Sequence, residues 1–174
     1  MSTAPDMALR NGNETHTISL YVHNKPGVLV RVALVFARRG YNIESLVVSP
    51  AANGPFSRMT ITCSGDPDTL EQIIKQLEKL VDVVHAIDHT RDAVYETEIA
   101  LMKIHCEIDS RTEILQVAEH FKAKVVDYGS ESMVLRITGS SEKLDALLAL
   151  LRPFGVSELV RSGKILMARG KATT

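Results

Sequence analysis

Between Thr15 and Ile87 the spacing of apolar residues switches between a period of two and a helical period in a fixed order, and after Thr97 that order starts again. Thr15 to Val22 alternates, Ile18, Leu20 and Val22 against Thr17, Ser19 and Tyr21, as a half-buried strand does. Asn24-Lys25-Pro26-Gly27 breaks it. Leu29, Val32, Ala33 and Phe36 then share one helical face, and Gly40 suits the left-handed residue that closes many helices. Tyr41 to Ser49 reads as a second strand, Asn53-Gly54-Pro55 as a turn, and Arg58 to Cys63 as a third strand. Asp66-Pro67 opens a second helix, with Asp as N-cap and Pro in the first helical position. Its stripe is Leu70, Ile73, Ile74, Leu77 and Leu80, and Val83 to Ile87 closes the set as a fourth strand.

The second half repeats the plan less regularly. Thr97 to Cys106 reads as a strand. Ser110-Arg111-Thr112-Glu113 fits a capping box ahead of Ile114, Val117, Ala118 and Phe121. Val125-Val126 and Met133 to Ile137 flank a turn at Tyr128-Gly129-Ser130. Leu144, Leu147, Leu148 and Leu151 line a last helix, and Val156 to Val160 is the last strand. The order strand, helix, strand, strand, helix, strand is the split β-α-β plan. The fold class expected is α+β, with two ferredoxin-like (βαββαβ) domains at residues 15–90 and 96–170, a polar boundary around His89 to Glu96, and a loose tail over residues 1–14. In each domain two helices would cover one face of a four-stranded antiparallel sheet. The other face must be polar or find a partner.

Composition narrows function. Net charge is −1 over 174 residues and neither half is basic, against the basic patch usual in a nucleic-acid binder. No apolar run approaches the ~20 residues of a membrane span, and the first residues lack the apolar core of a signal peptide. Cys63 and Cys106 lie in apolar runs and read as buried, reduced thiols of a cytoplasmic protein. The histidines are scattered. His85 and His89 have helical spacing but lie in a strand and beyond it, where that spacing gives no shared metal face. There is no HExxH, GxSxG, Walker A or GxGxxG pattern. Ser110 and Ser140 read as helix caps, and the Glu96/Glu98 and Asp66/Asp68 pairs as a solvated strand face and a helix start. No catalytic residue, no metal site and no cofactor of this chain's own is expected.

The stretch that carries chemistry is Asn24 to Leu29, taken with Gly40 to Ser45. A strand runs through a tight Gly-containing turn directly into a helix, whose first N–H groups have no internal partner and whose dipole adds positive charge there. A carboxylate fits such a place. Gly27 leaves room for a ligand beside the backbone, and the Asn24 amide can meet an ammonium or a carboxylate. The plainer alternative is a common turn in which Asn24 caps the helix, with Val28, Leu29 and Ile43 as ordinary core.

Asn24-Lys25-Pro26-Gly27-Val28-Leu29 after a strand resembles the opening of an ACT domain, the amino-acid-binding regulatory module. The runs Arg39-Gly40-Tyr41-Asn42-Ile43-Glu44-Ser45-Leu46, Ser57-Arg58-Met59-Thr60-Ile61 and, after Leu77, Lys79-Leu80-Val81-Asp82-Val83 resemble the small, regulatory subunit of acetolactate synthase. The likeness continues at Lys143-Leu144-Asp145-Ala146 and Arg161-Ser162-Gly163, and is weakest from Ser110 to Ser132. The resemblance implies a non-catalytic chain that activates a separate large subunit and confers feedback inhibition by valine, with leucine or isoleucine as related effectors. It implies that thiamine diphosphate, Mg and FAD belong to that large subunit. It also implies a homodimer through ACT domains, with valine at the interface: Asn24, Gly27, Val28 and Leu29 of one chain facing Asn42 and Ile43 of the other. Two other readings stay open. One is a free-standing ACT-type sensor of another enzyme or of transcription, although no helix-turn-helix fits this length. The other is a small enzyme on a ferredoxin-like fold.

Overall fold

The computed structural model describes residues 14–174, so the tail expected over residues 1–14 lies outside the described residues except for Glu14, which opens the first strand. Two compact units divide the chain, one of residues up to Val94 with Ala168–Thr174, the other Tyr95–Met167.

The first unit runs β1 (Glu14–His23), α1 (Val28–Ala37), β2 (Asn42–Pro50), β3 (Phe56–Gly65), α2 (Pro67–Leu77) and β4 (Val83–Asp88). Its antiparallel sheet has the order β2-β3-β1-β4, so β2 is an edge strand. The pleat sorts the residues. Ile18, Leu20 and Val22 on β1 and Met59, Ile61 and Cys63 on β3 point to the helices, and all are buried. They meet Val28, Val32 and Phe36 of α1 and Leu70, Ile73 and Leu77 of α2. The buried stripe of α1 thus runs at i, i+4, i+8 from Val28, one position before the expected start. Leu29 is turned outward and is 41% exposed. The second helix ends at Leu77, short of the expected Leu80, which packs half-buried at the core margin. On the other face Thr17 sits opposite Thr62 and Ser19 opposite Thr60. That face is polar, and yet these four side chains are at most 8% exposed, so it is polar and covered at once.

Helix ends follow local chemistry. Asp66 accepts from Thr69 N–H at 2.9 Å and Pro67 takes the first helical position, as the sequence predicts. At the end of α1, Gly40 has φ +70°, and the Tyr41 N–H reaches back to the Phe36 carbonyl at 3.1 Å. This satisfies a helix-end carbonyl in the manner of a left-handed C-terminal cap.

The second unit runs β5 (Val94–His105), α3 (Arg111–His120), β6 (Lys124–Tyr128), β7 (Ser132–Gly139), α4 (Ser141–Leu151), β8 (Val156–Arg161) and β9 (Ile165–Ala168). Its sheet has the order β6-β7-β5-β8, with β9 also on β5. The β9 strand extends the four-strand expectation, and β5 starts inside the stretch read as a boundary. Ala100, Met102, Ile104, Met133, Leu135 and Ile137 face Ile114, Ala118, Leu144, Leu147 and Leu151 in a second buried cluster. The expected capping box at Ser110 does not form. A 3₁₀ turn, Ile108–Ser110, already has Ser110 in helical backbone, and its hydroxyl donates back to the Glu107 carbonyl at 3.0 Å. Ser140 does cap α4, accepting from Lys143 N–H at 3.4 Å.

Candidate functional site

The β1–α1 turn is fixed by backbone bonds. The Asn24 N–H donates to the Pro55 carbonyl (2.8 Å), Lys25 N–H to His23 (3.0 Å) and Val28 N–H to Lys25 (3.4 Å). Gly27 occupies the N-cap of α1 with φ +82° and ψ −9°, and no side chain caps the helix. With Val28 N–H taken by Lys25, the left-handed N-cap without a side chain leaves the Leu29 and Val30 amides of the first turn without a partner among the described residues, where the helix dipole is positive. The Asn24 amide therefore does not cap α1, as the plainer alternative required. Among the described residues no hydrogen bond takes up the side-chain amide of Asn24 or of Asn42.

The expected site residues divide in three ways. Asn24, Gly27 and Leu29 are exposed at the turn. Val28 is 3% exposed and belongs to the core, so its contribution at the turn is its backbone. Asn42 is exposed at the start of β2, while Ile43 is half-buried against the first core cluster. Within one chain these groups do not meet. Asn42 lies across from Ser64, and Ser64 lies across from Thr15, at the start of β1. Asn24 follows the last residue of β1. The length of that strand, ~30 Å at ~3.3 Å per residue, separates the two walls.

Two residues that the motif reasoning passed over hold the turn in place. Arg31 on α1 pairs with Asp82 ahead of β4 at 2.5 Å. The same guanidinium would lie 3.2 Å from a Cβ at Gly27. The Asp82 carbonyl accepts from His23 N–H at 2.8 Å. The usable signal was Asp82 itself, a charge set between Val81 and Val83.

Elsewhere several buried polar groups are occupied by one another, while the Thr62 hydroxyl and the Arg111 Nε are buried without a hydrogen-bond partner among the described residues. At the opposite end of the first unit a cavity of about 330 Å³ is lined by His16, Leu70, Asp88 and Thr90 among others. His16 is buried there, with Nε2 donating to the Gly65 carbonyl at 3.1 Å. His89 spans Ser19 (2.8 Å) and Asp92 (3.0 Å). In the second unit Arg161 grips Glu98 with two nitrogens, at 2.9 and 2.6 Å, and reaches Asp145 at 2.5 Å. Burial pushes the Glu98 carboxyl up, but hydrogen bonds from Arg161 and Ser141 and the Arg161 charge hold it below its ordinary value. The Arg161 and Asp145 positions in the family-like runs thus form a structural clamp. Burial, then the charges of Glu44 and Asp88, push the Cys63 thiol up to about 12, which keeps it protonated and unreactive. Among the described residues no three His, Cys, Asp or Glu side chains are grouped to hold a metal ion. No described helix is long and apolar enough to cross a membrane.

Comparison with known proteins covers both units. The family described as "AHAS small subunit-like ACT domain" matches residues 18–85, and the family described as "Small subunit of acetolactate synthase" matches residues 97–170. The acetolactate synthase small subunit of Mycolicibacterium smegmatis is 43% identical over 162 residues, covering 93% of this chain and 95% of that protein. A probable acetolactate synthase small subunit of Methanothermobacter thermautotrophicus is 45% identical over 161 residues, covering 92% and 96%. The crystal structure of the acetolactate synthase small subunit from Thermotoga maritima superposes with a TM-score of 0.80 at 38% identity, covering 91% of this chain and 99% of that one. The fold is two ferredoxin-like units, the first an ACT domain, and the chain belongs to the family of acetolactate synthase small subunits.

Proposed function

We propose that this chain is the regulatory subunit of acetolactate synthase in branched-chain amino acid biosynthesis, activating a catalytic large subunit and making it sensitive to valine. The observation that carries the reading is the bare start of α1, with Gly27 left-handed, the Leu29 and Val30 amides unpartnered and an unengaged Asn24 beside it. A valine carboxylate would take the helix-start amides. The Asn24 and Asn42 amides would hold its remaining polar groups, and Leu29, with Ile43 of the second chain, would shelter its side chain. The two walls stand at opposite ends of the sheet, so the site requires a homodimer of ACT domains. Support for pairing comes from the outer surface of α1, where Val30 is 61% and Leu34 45% exposed. On this reading thiamine diphosphate, Mg and FAD belong to the large subunit, and the chain works in the cytoplasm.

Regulation needs more than binding, because an effector shifts an equilibrium only by its differential affinity for two states. Valine shared by two chains stabilises one arrangement of them, and that arrangement would no longer support the active large subunit. An apolar pocket separates homologues by only ~1–3 kcal/mol per methylene, so leucine and isoleucine would compete weakly. The test is reconstitution with the large subunit and assay of acetolactate formation from pyruvate. The chain alone should form none, should stimulate the large subunit, and should make it sensitive to valine. Acetolactate formation by the pure chain would overturn the regulatory reading. Unchanged valine inhibition with Asn24→Ala and Asn42→Ala would overturn the site.

A further inference from the structure

The edge strand β6 has features that point to a partner of its own. Every residue of Lys124–Tyr128 is exposed, and Val125, Val126 and Tyr128 are 37%, 50% and 53% exposed. Edge strands are ordinarily blunted by charge or cover. Both edges carry a bulge, β2 at the charged Glu44 and β6 at the apolar Val126, which on β6 leaves Lys124 and Asp127 as the flanking charges. Beside β6 a groove of about 520 Å³ is lined by Leu115, Ala118, Glu119, Lys122, Lys124 and Val125 among others.

The order Lys124-Val125-Val126-Asp127 is its own charge complement when reversed. Run antiparallel against a second copy, it sets Lys124 opposite Asp127 twice and valine opposite valine between them. Residues three apart on a regular strand face opposite sides. The bulge removes that obstacle: Lys124 lies across from Arg136 and Asp127 across from Val134, two residues of the same face of β7. Lys124 against Arg136 is also a like-charge cross-strand pair, an unfavourable arrangement. Among the described residues no ion pair takes up Lys124, Arg136 or Asp127. The Asp127 of a second copy supplies the missing anion beside these two cations.

We infer that β6 is a self-association edge, joining two copies of this chain antiparallel about Val125–Val126 with reciprocal Lys124–Asp127 ion pairs. Such an interface is isologous and self-complementary. It is separate from the proposed ACT pairing and does not depend on valine.

Charge reversal in the full chain tests it, by sedimentation velocity over a concentration series at low salt. Lys124→Glu makes the edge all acidic and Asp127→Lys makes it all basic. Each alone should weaken self-association by about tenfold or more, since each places like charges opposite at two symmetric points. An equimolar mixture of the two variants should recover it, because an acidic edge then meets a basic one. Self-association indifferent to both reversals, or a mixture that behaves as the sum of its parts, overturns the inference. So does a loss of large-subunit stimulation with self-association intact, which would assign the edge to the large subunit.

Discussion

The turn from β1 into α1 and the turn from β5 into α3 occupy the same place in the same element order, yet they finish differently. The first leaves its helix start bare, with left-handed Gly27 and no side chain over the amides. The second fills the space with a 3₁₀ turn and bonds Ser110 back onto Glu107. One element order therefore yields an open helix start in one unit and a closed start in the other. The stabilising investments differ too. The first unit buries Phe36, its largest fully buried side chain, while the second clamps a nearly buried Glu98 with Arg161. On the proposed reading the effector site belongs to the first unit.

The contrast can be broken at several points. Phe36→Ala should cost the first unit about 4 kcal/mol, the range for emptying a packed aromatic site, seen as an earlier transition in chemical unfolding. Arg161→Ala should cost the second unit about 3 kcal/mol, because it removes the main counter-charge of a nearly buried Glu98 and leaves it the Ser141 hydroxyl. That pair carries a pH signature. The folded Glu98 carboxyl titrates below its ordinary value, so its stabilisation is present above the ordinary value and is lost as pH falls through the depressed one. Glu98→Gln should flatten the acid limb of a melting-temperature profile. A profile identical to wild type would remove the clamp from the account.

Gly27→Ala should cost about 1–2 kcal/mol for a Cβ in left-handed backbone and should impair the valine response beyond that loss of stability. The smallest effects sharpen the comparison of caps. Asp66→Ala should cost about 1 kcal/mol, whereas Ser110→Ala should stay within about 0.5 kcal/mol. Equal losses would mean that Ser110 caps after all.

Much of the fold was legible because apolar spacing is read through the pleat and the helical turn. Asp66-Pro67 and Gly40 announced their helix ends correctly. Ser110 misled because a cap depends on backbone conformation upstream, and Ile108 had already turned the chain. Leu29 and Val28 are adjacent and equally apolar, so only the packing of α1 decides which goes inside. The short β9, Ile165–Ala168, has too few residues to announce itself by period and exists through β5. At the site, the turn and its glycine were visible in the sequence. The proposed pairing of Asn24 with a distant Asn42 was not, because it needs a second chain and is implied by family likeness alone. Arg31 and Asp82 were missed because an ion pair across 51 positions leaves no local pattern.

The central claim, one site made from two chains, has a direct test in mixed dimers. Asn24→Ala removes one wall from both sites of a dimer, and Asn42→Ala removes the other. A dimer with one chain of each kind carries both lesions in one site and none in the second. Calorimetric titration of valine should therefore show weak or no binding by either variant alone, and tight binding at reduced stoichiometry after the two are mixed and allowed to exchange. Tight binding by both variants alone, or no recovery once exchange is verified, would contradict a site shared between chains.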